Sequence, residues 1–351
     1  MVVRLLVTGG AGFIGSNFVH YWFRQVSRLG EPFVVVLDAL TYAGRGENLE
    51  SLEADVNLYF VHGDICDRPL LDQLLRQYDI DAIIHFAAES HVDRSIAGPA
   101  PFIQTNFVGT FNLLEAFRVY WEEQQSPAHY RFIHVSTDEV FGTIPPEIAS
   151  VTEDYPYQPN SPYAASKAGS DHLVRSYYYT YKLPTIITSA SNNYGPYQYP
   201  EKLIPLMILN SLQGKPLPVY GDGQQVRNWI YVEDHCQALV QVLLKGLPGE
   251  RYNIGGHTEI PNLELVEQLC DRIDEAAPQL PMRPCRKLIT FVKDRPGHDR
   301  RYTLDSSKIR DELGWLPQVS LAEGLDRTIT WYMTHRTWWE PLINIPKDDF
   351  Y

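Results

Sequence analysis

Val2-Val3-Arg4-Leu5-Leu6-Val7-Thr8 runs directly into Gly9-Gly10-Ala11-Gly12-Phe13-Ile14-Gly15. A short apolar run bounded by glycine reads as a strand buried on both faces. A helical pattern follows from about Phe13 to Arg28. Strand, glycine turn and helix in that order allow a tight turn, close approach of the backbone to a diphosphate, and close packing of helix on strand. The free N–H groups at the helix N-terminus would hold the anion. Gly9, Gly12, Phe13, Ile14 and Gly15 are therefore candidate ligand contacts.

Outward from this turn, apolar strand patterns recur at Phe33–Leu37, Asn57–Val61, Asp81–Phe86, Tyr130–Val135 and Thr185–Ser189, with helical patterns between them. That alternation predicts an α/β protein with a Rossmann-type doubly wound parallel sheet. Asp38 closes the second strand, where a carboxylate accepts from ribose hydroxyls and repels a 2′-phosphate. NAD is thus favoured over NADP. Asp64, after the third strand, reads either as an acceptor for an adenine amino group or as a solvated loop carboxylate. The small pair Ala87-Ala88 would let a cofactor lie close to the backbone, and His91 beyond it reads as a hydrogen-bonded loop histidine rather than a base. Phe102 to Glu122 is expected as one long helix, with Thr105 and Asn106 in its first turns. Beyond about residue 190 the alternation weakens. Residues 1–190 are read as the NAD-binding domain. Residues 191–351 are read mainly as a smaller C-terminal α/β substrate-binding domain, with segments returning to the Rossmann sheet.

Composition narrows the function. The 351 residues carry 44% hydrophobic residues and a net charge of −13. No basic run is present, which argues against nucleic acid and anionic membrane surfaces. Four scattered cysteines, with no Cys-x-x-Cys pair, suggest neither a metal site nor a redox dithiol. They fit a reduced, cytoplasmic protein. No signal peptide and no apolar run of membrane-spanning length is visible. An acidic chain that binds a diphosphate must do so at a local basic site.

Two constellations carry chemistry. Ser136-Thr137-Asp138-Glu139 follows the fifth strand, at the end of a parallel sheet where ligands bind. Tyr163 and Lys167 lie four apart on one helix face, about one turn apart. An ammonium near a phenol favours the phenolate, so the pair is expected to lower the phenol pKa and make Tyr163 a base. Asp138 and Glu139 are adjacent carboxyls, and like charges close together raise one pKa. The bland alternatives are a solvated turn and a surface Tyr/Lys pair, but the glycine turn upstream favours a site. Tyr177 to Tyr181 on the same helix reads as core or subunit contact.

With the glycine turn, Asp38, Tyr163 and Lys167 in place, the chain resembles the extended short-chain dehydrogenase/reductases over nearly its whole length. Within them, Thr137-Asp138-Glu139 resembles the pattern of the dTDP-glucose 4,6-dehydratases. So do Ala87-Ala88-Glu89-Ser90-His91-Val92-Asp93-Arg94-Ser95, Asn192-Asn193-Tyr194-Gly195-Pro196, Glu201-Lys202-Leu203-Ile204-Pro205, Arg227-Asn228-Trp229 and the stretch Asp294 to Tyr302. Phe141 stands where many members carry Tyr.

The resemblance implies a hydro-lyase that oxidises C4 of dTDP-glucose, eliminates water across C5 and C6, and returns hydride to C6. It implies NAD held by the glycine turn with Asp38, Leu40, Thr41, Asp64 and Ile65. Ala87, Ala88, Glu89, Thr105, Ser136, Tyr163, Lys167 and Asn193 complete that set. It places the sugar nucleotide against Ser90, Thr137, Asn192, Lys202 and Leu203, and against Pro218, Tyr220, Arg227, Asn262, Arg295 and His298. It assigns Tyr163 as base at C4, Lys167 as its support, and Thr137 as donor to the C4 oxygen. Asp138 becomes the acid and Glu139 the base of elimination. It further implies a homodimer, joined by the helices near 102–122 and 162–181 as a four-helix bundle. A 4-epimerase would need Tyr163, Lys167 and NAD but no carboxyl pair; a GDP- or UDP-sugar dehydratase is closer. A non-catalytic NAD-binding regulator would need none of the reactive groups.

Overall fold

The computed structural model describes residues 3–26 and 31–343. Seven strands form the main sheet: β1 (Arg4–Thr8), β2 (Phe33–Asp38), β3 (Leu58–His62), β4 (Ala82–His85), β5 (Arg131–Thr137), β6 (Thr185–Ala190) and, after three strands elsewhere, β10 (Arg251–Ile254). The other three are β7 (Asn192–Tyr194), β8 (Leu217–Tyr220) and β9 (Val226–Tyr231). Spatial order is β3-β2-β1-β4-β5-β6-β10, and every pairing is parallel. The chain winds outward from β1 to β3, then returns to β4 on the other side of β1. That reversal opens a crevice at the carboxyl ends of β1 and β4.

Alternation along the strands sends successive residues to opposite faces. Leu5, Val7, Val34, Val36, Ala82 and Ile84 face α1 (Phe13–Val26) and, later in the chain, the helices at Val232–Lys245 and Ser307–Leu313. Leu6, Val35, Leu37 and Ile83 join the other core, which holds Leu71 and Leu74 of α2 (Arg68–Gln77). Both faces are covered, which is why the strands read as continuous apolar runs. The part of the expected first helix beyond Val26 lies outside the described residues.

α3 (Val92–Ala97) leads to a helix that differs from the expected uninterrupted one. It begins with α4 (Ala100–Phe102), passes through a π-helical segment at Ile103–Gly109, and continues as α5 (Thr110–Glu123). The π segment is pinned by side chains: Asn106 Oδ1 accepts from the Glu89 N–H (2.8 Å), and Asn106 Nδ2 donates to the Glu89 carbonyl (3.0 Å) and Ser166 Oγ (2.8 Å). α6 spans Pro162–Tyr181, with proline at its first position and Ser161 Oγ accepting from the Ala164 N–H at 3.1 Å. Lys182 closes it in a left-handed conformation.

The remaining helices are α7 (Leu203–Gln213), α8 (Val232–Lys245), α9 (Asn262–Ala276), α10 (Ser307–Leu313), α11 (Leu321–Thr334) and α12 (Arg336–Ile343). With β11 (Thr258–Pro261) and β12 (Ile289–Val292), they support two small sheets, β11-β9-β7 and β12-β8. A separate core around Tyr194, Ile208, Leu265, Ile329 and Tyr332 fills this part.

Candidate active site

The glycine turn packs as its spacing demands. A Cβ at Gly15 would lie 2.2 Å from the Gly9 carbonyl oxygen, and one at Gly9 would lie 2.6 Å from the Ala87 nitrogen. Gly9 also has φ +70°, a left-handed conformation. Asp38 turns inward: its Oδ2 accepts from the Ala11 N–H (2.9 Å) and its Oδ1 from the Leu40 N–H (2.8 Å). The carboxylate thus braces the glycine turn from β2 and keeps lone pairs for a further donor.

These residues line a cavity of ≈ 260 Å³ at the β1/β4 switch, together with Thr41, Asp64, Ile65, Ala87, Ala88, Glu89, Ser90, Thr105, Ser136, Tyr163, Lys167 and Lys202. Small residues along one wall and an acidic residue beside the turn fit an NAD-sized dinucleotide. Two expected contacts lie off the wall. Leu40 sits at φ +50° with its side chain outward, touching Asp38 through its backbone only. Asn193 instead bonds the Ser191 carbonyl and meets His235 Nδ1 at 2.9 Å.

β5 ends at Thr137, whose hydroxyl accepts from the Glu139 N–H (3.3 Å) and starts a short 3₁₀ turn, Asp138–Phe141. Asp138 is buried, and its Oδ2 meets no partner among the described residues. Burial, and then the charge of Glu139, push its carboxyl up to about 8. Burial also raises Glu139, and the cations Arg295, Arg227 and Lys202 offset part of that rise. One carboxyl is thereby neutral at pH 7 while its neighbour faces positive charge. That is the division of labour a general acid and a general base require.

Tyr163 and Lys167 both line the cavity, but their electrostatics differ from the expectation. The Tyr163 phenol is pushed up, by burial first and the Glu139 charge second. Lys167 makes no hydrogen bond to the phenol: its Nζ donates to the Val135 carbonyl at 2.9 Å and lies 3.4 Å from His134 Nε2. Desolvation lowers the ammonium to about 8. Spacing puts the two residues on one face, but a long lysine side chain chooses its own partners.

The expected sugar-nucleotide contacts are distributed. Ser90 and Lys202 share the cavity wall, and Lys202 Nζ donates to the Ser90 carbonyl at 3.2 Å. Arg227 is buried on β9, donates to the Val226 and Asp299 carbonyls, and lies over the Tyr302 ring. Arg295 Nε, Asn192 Oδ1 and Asn262 Oδ1 are buried with no hydrogen-bond partner among the described residues. Tyr220 packs edge-on to His298, which pairs with Asp294. Leu203 opens α7, and Pro218 lies on β8 opposite Thr290. Thr137 and these more distant residues are not on the wall of the cavity itself.

Sequence reasoning missed the Tyr42–Glu201–Arg94 group. Tyr42 OH donates to Glu201 (2.7 Å), and the Arg94 guanidinium covers the Tyr42 ring at 3.7 Å. It also missed Asp171, four residues after Lys167 on the same face of α6, a spacing that was open to inspection. His91 caps α3 through Nδ1 and sits 3.3 Å from Glu201. No cluster of three or more metal-ligating side chains occurs among the described residues.

A doubly wound nucleotide-binding sheet carrying Tyr-x-x-x-Lys and an acid/base carboxyl pair defines a nucleotide-sugar enzyme of the extended short-chain dehydrogenase/reductases. The family model described as GDP-mannose 4,6 dehydratase matches residues 6–328. A dTDP-glucose 4,6-dehydratase of Neisseria meningitidis is 55% identical over 97% of this chain and 96% of its own. One from Escherichia coli K12 is 51% identical over 96% of this chain and 94% of its own. Among solved structures, a Streptomyces venezuelae dTDP-glucose 4,6-dehydratase with NAD bound has a TM-score of 0.88 at 51% identity, covering 97% of this chain and 100% of that one. The chain belongs to the dTDP-glucose 4,6-dehydratase family, whose members are NAD-dependent hydro-lyases.

Proposed function

We propose that this protein converts dTDP-glucose to dTDP-4-keto-6-deoxyglucose and water, with NAD as resident cofactor. The observation that carries the reading is the buried Asp138 carboxyl, its Oδ2 without a partner among the described residues, next to a Glu139 that bears the charges of Arg295, Arg227 and Lys202. A sugar C5 proton is not acidic until C4 becomes a carbonyl. Bound NAD would supply the hydride acceptor for C4 and the hydride donor for C6. Tyr163 takes the C4 hydroxyl proton, and Thr137 donates to the C4 oxygen as it becomes a carbonyl. Glu139 takes the C5 proton. Asp138, protonated at neutral pH, donates to the departing C6 hydroxyl. Atoms balance: the C6 hydroxyl leaves with Asp138's proton as water, the proton held by Glu139 returns to C5, and the proton Tyr163 took from the C4 hydroxyl is released to solvent while Asp138 takes one up, which resets both for the next turnover.

Arg227, Arg295 and Lys202 supply the local positive site that an acidic chain needs for a diphosphate. Asn192, Asn262, His298 and Tyr220 are assigned to the rest of the nucleotide. Residues 1–190 are assigned to the NAD-binding domain and 191–351 mainly to the sugar-nucleotide domain. The product feeds deoxysugar synthesis, and a reduced cytoplasmic location fits the four free cysteines.

The protein is further proposed to act as a homodimer through a four-helix bundle. Ile103, Phe107 and Phe111, four apart, are 47%, 37% and 43% exposed, and Tyr179 and Tyr181 on α6 are exposed too. An apolar stripe of this kind calls for a partner surface. Incubation with dTDP-glucose and detection of the 4-keto product test the activity; absence of that product, with dTDP-glucose unchanged or epimerised at C4, overturns it.

A further inference from the structure

One buried polar cluster beside Lys167 takes no part in the scheme above. His134 Nε2 lies 3.4 Å from Lys167 Nζ and 3.2 Å from Asp171 Oδ1, and the side chains of His134 and Asp171 are wholly shielded from solvent. Asp171 Oδ2 accepts from Ser136 Oγ (2.8 Å) and Tyr157 OH (2.5 Å). Asp171 lies one turn beyond Lys167 on α6. The groups facing Lys167 come from every neighbour. β5 gives His134, Ser136 and the Val135 carbonyl. β4 gives His85, whose ring centre lies 5.2 Å from that of His134. The loop before α6 gives Tyr157, and α6 itself gives Tyr163 and Asp171. Glu139, Asp138 and, last among them, Asp171 itself also bear upon the Tyr163 phenol and raise it. Both histidines are held neutral by burial. Asp171, held as a carboxylate by His134, Lys167 and Tyr157, is thus the anion in contact with this cluster. A buried ammonium without a countercharge loses its proton.

We propose that Asp171 is a positioning residue for catalysis: its carboxylate, with the His134 ring wedged between, keeps Lys167 charged so that Tyr163 can ionise. The proposal rests on Tyr163 being the base at C4. The useful arrangement is phenolate plus ammonium; without Asp171 the buried lysine sheds its proton more readily, and a phenolate beside it loses its support.

The test is single-turnover NADH formation by full-length, NAD-loaded protein mixed with dTDP-glucose across pH 6–10. Asp171→Asn is expected to lower the plateau rate by about tenfold or more. It should also move the pH midpoint down by about one unit, because a countercharge to the ammonium is gone. KM should stay within about twofold. A lower plateau with an unmoved midpoint, or wild-type behaviour, overturns the proposal. Tyr157→Phe keeps the Asp171 charge and removes one of its donors, so its midpoint should stay or rise; a fall overturns the proposal, and this variant decides alone if Asp171→Asn does not fold. Tyr163→Phe is the control for the underlying reading: NADH formation at the wild-type rate there removes Tyr163 as base, whatever Asp171 does.

Discussion

At the residue scale the acid/base pair gives the sharpest expectations. Asp138→Asn and Glu139→Gln each keep their size but lose a proton function. Both should still reduce NAD⁺ while elimination falls by roughly 10² to 10⁴, the usual value of such help. A single-turnover run in D₂O, following NADH absorbance and label at C5, separates them: only Glu139→Gln should also lose C5 exchange. Asp138 works in its neutral form, and its carboxyl titrates near 8. Elimination should therefore hold through neutral pH and decline as pH rises through about 8, a limb that Asp138→Asn abolishes. Asp38→Ala removes the brace on the glycine turn, so purified protein should carry less NAD(H) on extraction. Adjacency of Asp138 and Glu139 was readable in the chain, and so was the likelihood of split pKa values. Which of them is neutral was not, because Arg227 and Arg295 arrive from residues 88 and 156 positions away.

At the scale of elements, the strands and the glycine turn were legible because their apolar runs and small residues are local signals. The π segment at Ile103–Gly109 was not. Its register is set by Asn106, which reaches back to the Glu89 backbone and across to Ser166. Those partners are 17 and 60 residues away, so no window of helical periodicity contains them. Asn106→Ala leaves the Glu89 N–H and carbonyl without their buried partner. It should cost roughly 1–3 kcal/mol in urea unfolding. It should also loosen NAD, since Glu89 and Thr105 line the cavity. Unchanged stability and unchanged NAD content would remove the π segment from any role at the site. Lys167 teaches the converse lesson: its helix and its face were correctly read, yet its partners came from β5.

At the scale of the molecule, the proposed homodimer, built on exposed Phe107 and Phe111, predicts that Phe107→Glu halves the mass seen by light scattering without unfolding the protomer. Acid response is set by deeper groups. His235 is wholly buried on α8, and desolvation lowers it to about 3, below its unfolded value of 6.5. As pH falls, the unfolded chain therefore takes up the proton first, and stability drains away below about 6.5. Between pH 7.5 and 5 the wild type should lose about 2 kcal/mol more than His235→Asn, by linkage at 1.36 kcal/mol per unit. Chemical denaturation at the two pH values measures the difference.

The last strand of the main sheet, β10, is supplied by residues 251–254, after three further strands and two helices have gone elsewhere. On the ribosome, the first 190 residues emerge with six strands and with β6 as a bare edge. An unpaired apolar edge is a template for pairing with other chains. Nascent protein must therefore wait through some sixty residues of synthesis before that edge is closed, a window of several seconds at roughly 5–20 residues per second. A fragment ending at Ala190 should aggregate, one ending just past α8 should fare no better, and chaperone dependence should fall only once β10 has cleared the exit tunnel.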